Sequence, residues 1–244
     1  MEVSDDAFLG GRVRLWQPKE GFRAGLDSVM LAAAVSARPR QSVCDLGAGA
    51  GVASLCLAAR VAELRVTCVE IDSDVAELSR ANALRNAAAA SFDSVIADVL
   101  KKPRSLPRQS FDHVITNPPF HDIDRGTRAP VARKAQSTSA HTHQLVAWLA
   151  FARSLAKPQG WVTAILPPEQ LGFALAGLSP KGVGVEIVPL WPKAGVSAKR
   201  VIIRTRMNAK APLRLMAGLV LHQEDGTATA DAEAVLRRGE PLIR

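Results

Sequence analysis

Two short segments of the 244-residue chain combine residue types that can do chemistry. The first is Asn117-Pro118-Pro119-Phe120. An amide side chain followed by two stiff prolines can offer two acceptors, the Asn117 side-chain oxygen and the Pro118 carbonyl, to one planar nitrogen. Such a nitrogen, in an exocyclic amine or an amide, is a poor nucleophile because its lone pair is delocalised. Two fixed acceptors bonded to its N–H groups would draw it toward tetrahedral geometry and free that lone pair. Phe120 can stack on a planar base turned out of its helix. No strong base is needed at the outset, since the proton can leave after the attack. A rigid turn at a strand end is the plainer reading of the same four residues.

The second segment is Asp45-Leu46-Gly47-Ala48-Gly49-Ala50-Gly51, which follows a short β-rich run and opens a helical pattern. Glycines in that context let backbone approach a ligand where a Cβ would block it. Glu70 ends the next β-rich run and can accept from ribose hydroxyls, with Ile71 beside it. Asp45 would repel a pyrophosphate but suits an ammonium. A ligand with an ammonium, a ribose and no phosphate therefore fits, and S-adenosylmethionine is one. Asp98, after the third such run, can accept from an adenine amine, or be a solvated loop acid.

These residues must be positioned by an alternating chain. From Gln41 onward, β-rich runs at Ser42–Leu46, Leu64–Ile71, Ser94–Ala97, Phe111–Thr116 and Trp161–Leu166 alternate with helical patterns at Val52–Val61, Asp74–Ala87 and Leu145–Leu155. Ser73 is placed to cap the second helix, and Lys157-Pro158-Gln159-Gly160 to end the third. That order predicts a parallel sheet covered by helices on both faces. Val183–Leu190 and Arg200–Arg206, with no helix between them, predict an antiparallel pair closing it. A run at Leu213–His222 and a helix near Ala230–Arg237 follow.

The glycine turn with its acidic strand ends resembles the class I S-adenosylmethionine-dependent methyltransferases. The Asn-Pro-Pro-Phe loop resembles the signature of amino- and amide-nitrogen methyltransferases. That group acts on adenine N6, guanine N2 or glutamine N5, so the motif leaves the substrate open. Three further segments stand with it: Gly21-Phe22-Arg23-Ala24-Gly25-Leu26-Asp27, Leu190-Trp191-Pro192 and Ala198-Lys199-Arg200-Val201. Over most of residues 8 to 240 the set resembles the bacterial tRNA(Val) adenine-N6 methyltransferase family. The resemblance implies an α/β, Rossmann-like fold with a seven-stranded, mostly parallel sheet and an antiparallel closing strand. It places Asn117, Pro118, Pro119 and Phe120 at the target base. It places Asp45, Gly47, Ala48, Gly49, Gly51, Glu70, Ile71, Asp98 and Asn117 at the cofactor, with the segment of Asp27 covering it. Residues 1–40 are then a covering segment and helix, and residues 41–244 the catalytic unit. His121 after Phe120 is similar to ribosomal RNA guanine-N2 enzymes. Those enzymes and the glutamine-N5 methyltransferases generally carry a further N-terminal domain, for which residues 1–40 are too few. A third reading is a methyltransferase-like RNA-binding module without catalysis, against which the intact motifs stand.

Charge supports a polyanionic partner. Lys and Arg number 31 against 23 Asp and Glu, a formal net charge of +8. Two basic stretches, Lys101 to Lys134 and Pro189 to Arg214, bracket the motif loop and the closing strands. Arg125, Arg128, Lys199 and Arg200 are the candidate RNA contacts, with tRNA the expected partner. Cys44, Cys56 and Cys68 lack metal-ligand spacing and read as buried small hydrophobes, and His121, His141 and His143 as loop and helix-start residues. No metal is expected. The acidic start is unlike a signal peptide, and no apolar run spans a bilayer, so a cytoplasmic protein is expected.

Overall fold

The computed structural model describes residues 1–21, 23–88, 91–119 and 131–243, with only the backbone described for 131–140. Eight strands form one path in the order β10-β8-β9-β7-β6-β3-β4-β5, and β11 adds to β8. The first five, β3 (Ser42–Leu46), β4 (Arg65–Glu70), β5 (Phe92–Ile96), β6 (Phe111–Thr116) and β7 (Ala156–Leu166), run parallel, as the alternating runs predict. The closing pair is β8 (Val185–Trp191) and β9 (Arg200–Arg206), and β9 is antiparallel to both β7 and β8. These seven strands are the expected sheet. β10 (Arg214–Leu215) and β11 (Leu219–Val220) extend it, both parallel to β8. The single run expected at Leu213–His222 is broken between them. Gly218 stands there at φ +80°, where a Cβ would fall 2.2 Å from the Pro189 carbonyl oxygen.

Alternation along the strands divides the core in two. Val43, Ile115, Ile165, Val188 and Ile202 point into one cluster, with α1 (Leu26–Ala34) and α2 (Val52–Ala58). Cys44, Val114, Ala164, Ile187 and Ile203 point into the other, with α4 (Val131–Leu155) and α5 (Leu171–Leu178). All three cysteines are buried and free, as expected of small hydrophobes. Both faces being covered, the sheet opens to ligands at its strand ends. The chain crosses from β3 to β4 on one side and reaches β6 on the other, which makes the carboxyl end of β3 a topological switch point.

Several local expectations are corrected. The cap of α3 (Ser73–Arg85) is Asp72, whose Oδ1 accepts from the Asp74 and Val75 N–H groups at 2.9 and 3.2 Å. Ser73 already lies in the first turn. The Lys157–Gly160 turn is absorbed into β7 as an irregularity with Gln159 at φ +65°, shifting the register against β6. α4 begins at Val131 rather than Leu145, which puts His141 and His143 in mid-helix instead of at a helix start. Its polar first half carries no apolar period to reveal it. α5 was not anticipated.

The segment before α1 contains a hairpin. β1 (Val3–Phe8) pairs antiparallel with β2 (Val13–Pro18), and Val13 and Leu15 turn inward while Arg14 and Trp16 face out. Asn82 of α3 and Asn86, which caps its C-terminus, bind β2 as a neighbouring strand would. The Asn82 Oδ1 accepts from Trp16 N–H at 2.8 Å, and its Nδ2 donates to the Trp16 and Ala50 carbonyls at 2.8 and 3.0 Å. Asn86 repeats the pattern one turn later on Arg14, at 3.1 and 2.8 Å. Asn82 is fully buried, so each of these groups lacks a water to replace it. Asn82→Ala should therefore cost about 2–4 kcal/mol in denaturant unfolding. A loss below about 0.5 kcal/mol would show that the asparagine does not hold the hairpin.

Candidate functional site

Parallel pairing sets Leu46 of β3 opposite Thr116 of β6, so Gly47 and Asn117 leave the sheet side by side. The glycine turn needs left-handed backbone at three positions, with φ of +71° at Gly47, +86° at Gly51 and +55° at Gly49. Gly47 packs on the Trp148 ring, which a Cβ would approach to 3.2 Å, and Gly51 on Ser79, at 2.8 Å. A Cβ at Gly49 would meet nothing, because that residue faces open space.

That space is a cavity of about 620 Å³ at the carboxyl ends of the strands. Its volume lies in the range that takes up a small-molecule cofactor. Asp45, Gly47, Ala48, Gly49, Glu70, Ile71, Asp98, Asn117, Pro118 and Pro119 all line it, as the sequence placed them together. Gly51 and Asp27 do not. Gly51 closes the turn beneath the lining by donating to the Ala48 carbonyl at 3.0 Å. The Asp27 carboxylate is held by Arg200 Nε at 2.7 Å, and its neighbours Ala24, Ser28 and Leu31 reach the cavity instead. Met1, Gln17, Pro18, Glu20 and Gly21 also line it, so the hairpin and the chain after it form one wall. Buried Gln17 pins that wall through bonds to Asp6 at 2.7 Å and to both backbone groups of Ala24, at 2.8 and 3.2 Å. Phe120, His121, Arg125 and Arg128 lie outside the described residues.

The three strand-end carboxylates differ in state. Asp45 is buried, and burial pushes its carboxyl up to about 7. The Ser54 hydroxyl, donating at 2.7 Å, opposes that rise, and the nearby Glu70 charge adds to it. Glu70 stitches two loops together. It accepts from Gly49 N–H at 2.9 Å through one oxygen and from the Ile71 and Asp72 N–H groups at 2.8 and 3.2 Å through the other. Asp98 accepts from Leu100 N–H at 2.9 Å and lies 3.7 Å from Lys101. The Asn117 Oδ1 is buried and, among the described residues, has no hydrogen-bond partner. A buried amide oxygen without a donor is costly. Among the described residues no cluster of three or more His, Cys, Asp or Glu could hold a metal, and no helix is long and apolar enough to cross a membrane.

The basic stretch at 189–214 is far less available than its composition suggests. Arg200 is paired with Asp27. Arg204 is buried against Glu186 at 3.3 Å, with its guanidinium over the Trp161 ring, and Arg214 also pairs with Glu186. Of the candidate contacts in that stretch, Lys199 is exposed and makes no ion pair among the described residues.

Comparison with known proteins matches this geometry. The family model of the methyltransferase small domain matches residues 23–142. A tRNA1(Val) (adenine(37)-N6)-methyltransferase of Shewanella baltica is 30% identical over 185 residues, covering 75% of this chain and 76% of the relative. One from Porphyromonas gingivalis is 31% identical over 175 residues, covering 68% and 67%. The chain belongs to this family. It is an S-adenosylmethionine-dependent methyltransferase. Among solved structures, a predicted O-methyltransferase from Agrobacterium tumefaciens has a TM-score of 0.71 at 27% identity, covering 86% of this chain and 94% of that one. A precorrin-6y C5,15-methyltransferase from Geobacter metallireducens shares the fold, at a TM-score of 0.55, 14% identity and 80% and 94% coverage.

Within this methyltransferase family member, sequence reading missed Gln17, Ser54, Thr116 and Trp148. None sits in a recognisable motif, and each acts through a partner distant in sequence or buried beneath the lining. The Asp45 carboxyl yields a test. Its pKa is raised from 3.8 to about 7 on folding, so its contribution to stability is fully present below about pH 4 and is lost as the pH rises through 7. Asp45→Asn should gain about 2–3 kcal/mol relative to wild type between pH 5 and pH 8 in urea unfolding. A difference that stays flat over that interval would place the carboxyl at an ordinary value.

Proposed function

We propose that this enzyme transfers the methyl group of S-adenosylmethionine to the exocyclic N6 of the adenine beside the anticodon of a valine tRNA. The observation that carries the reading is the buried, unpartnered Asn117 Oδ1, set between the cavity and the rigid Pro118-Pro119 pair. Bound S-adenosylmethionine supplies an electrophilic methyl on a positively charged sulfur. Asn117 accepts one N–H of the target amine and the Pro118 carbonyl the other, which raises the nucleophilicity of the nitrogen. Phe120 stacks on the turned-out base.

The cofactor fits the residues present. Gly49 leaves open backbone where a Cβ would stand, and the cavity is of cofactor size. Asp45 faces the ammonium, which favours its ionised form. A carboxylate offers about four acceptor positions, and Glu70 uses three on backbone N–H groups, which leaves one for a ribose hydroxyl. Ile71 and Leu100 give the adenine apolar contact, and Asp98 accepts from its amine. Gly51 supports the turn from below.

The activity named for the relatives and the basic charge support an RNA substrate. Lys102, on the turn after β5, and Lys199, just before β9, are exposed at the site end of the sheet on opposite sides of the cavity. They suit phosphates of a strand laid across the mouth, with Arg125 and Arg128 as further contacts. Replacing both Lys102 and Lys199 by Glu should weaken tRNA binding and flatten its salt dependence by about one to two units of slope. Filter binding across a salt series checks this, and an unchanged slope would move the RNA elsewhere.

The direct test is methyl transfer from labelled cofactor to total tRNA from a strain lacking the gene, followed by nucleoside analysis. N6-methyladenosine is the expected product. Asn117→Ala should lower turnover by about 10²–10³-fold, as loss of a donor or acceptor at a reacting atom does, with cofactor affinity nearly unchanged. Transfer only to ribosomal RNA or to a protein glutamine would overturn the substrate. Wild-type turnover in the variant would overturn the role of Asn117.

A further inference from the structure

Beneath the two loops runs a buried hydrogen-bonded chain that no motif announces. The Trp148 indole N–H donates to the Thr116 Oγ1 at 3.0 Å, and that hydroxyl donates to the Leu46 carbonyl at 2.8 Å. Thr116 and Leu46 are fully buried and Trp148 nearly so. Each member sits next to something functional. Leu46 precedes Gly47, the first residue of the glycine turn, and Thr116 precedes Asn117. The Trp148 ring packs on the Gly47 backbone and forms part of the cavity wall. One side chain from α4 thus touches the cofactor turn with its ring and the strand end of the acceptor loop with its N–H.

A buried hydroxyl has one proton and can both donate and accept only if its partners are aligned. Here the carbonyl fixes the direction in which Thr116 donates, which leaves a lone pair facing the indole. That arrangement fixes the spacing between the ends of β3 and β6 beyond what the ladder alone imposes. Methyl transfer is sensitive to such spacing, because a misplacement of about 1 Å costs on the order of 10²-fold in rate.

We propose that Thr116 and Trp148 are positioning residues that set the distance between the methyl donor on the glycine turn and the nitrogen held by Asn117. The inference rests on the proposed roles of the cofactor turn and Asn117, and refines them. Neither residue touches the reacting atoms in this scheme.

The test measures single-turnover methyl transfer at saturating cofactor and tRNA, together with cofactor dissociation constants, for Thr116→Val, Thr116→Ser, Trp148→Phe and the double variant Thr116→Val/Trp148→Phe. Valine removes the hydroxyl at nearly constant volume, and phenylalanine keeps an aromatic ring against Gly47 without the N–H. Each should lower the rate by about 10- to 100-fold with cofactor affinity within about threefold of wild type. Thr116→Ser should restore most of the rate. The double variant should be no worse than the poorer single one, since both break one chain. Unchanged rates in both single variants, additive losses, or affinity falling in step with rate would each overturn the positioning role. Wild-type enzyme and Asn117→Ala run in parallel. No transfer by the wild type would instead defeat the function on which the inference rests. If Thr116→Val does not fold, Trp148→Phe still decides.

Discussion

Parallel pairing of β3 with β6 is the constraint on which the site depends. Neighbouring strands lie about 4.8 Å apart, and their ends are level because Leu46 stands opposite Thr116. Two loops with different chemistry, one glycine-rich and one proline-stiffened, therefore start within a strand's width of each other. No long-range loop folding is needed to bring them together. With helices covering both faces of the sheet, the strand ends are where backbone can face a ligand. The same constraint explains why the glycines are needed. The chain must leave a buried strand, turn at once and enter α2, and left-handed backbone at Gly47, Gly49 and Gly51 does this without a Cβ clash.

Around that pairing, polar side chains act as substitutes for backbone. Glu70 accepts from three N–H groups in two loops, as the carbonyls of a strand edge do. Asn82 and Asn86 present amides to β2 in place of a neighbouring strand. Gln17 does the same for Ala24. Each joins chain segments that the sheet cannot reach, and all three connections bear on walls of one cavity. The energy comes from satisfying groups that would otherwise be buried without partners. Asp45 is the exception, because its carboxyl is buried with the Ser54 hydroxyl as its bond and its pKa rises accordingly. Strain of that kind is expected where a ligand's positive charge completes the set.

The central strands were legible because their residues are β-branched, apolar and bounded by turns. The glycine turn and the Asn-Pro-Pro loop were legible as strand-end turns because glycine and proline have few other reasons to occur there in that order. What was not legible depends on distance in the chain. The stretch from Pro189 to Arg214 holds no acid, and reads as a free basic face. In space Asp27 and Glu186 reach three of its arginines, and Asp27 lies 173 residues from Arg200. The hairpin was missed for a different reason. Buried Val13 and Leu15 alternate with exposed Arg14 and Trp16, but the acid-rich β1 hides the pairing. The choice of Asp72 over Ser73 as the helix cap turns on one residue of backbone conformation, which spacing alone does not resolve.

Hydroxyl methylation, the activity named for one of the similar folds, makes a different demand on a site from amine methylation. An alcohol attacking a sulfonium methyl needs its proton removed during the attack, and so needs a free base nearby. Among the described residues, the strand-end carboxylates bond within the protein, Asp45 to Ser54, Glu70 to three backbone N–H groups and Asp98 to Leu100, and their remaining acceptor positions are those proposed for the cofactor. An amine makes no such demand. Its proton becomes acidic only once the nitrogen has been alkylated and carries positive charge. What an amine requires instead is a pair of acceptors that hold its two N–H groups out of the plane of the ring. An amide oxygen, neutral and buried without a donor, meets that need better than a carboxylate would, because it accepts firmly without competing for the proton. On the proposed role of Asn117, the residue holds the amine's N–H group as a neutral acceptor and leaves the proton in place until the methyl has been transferred.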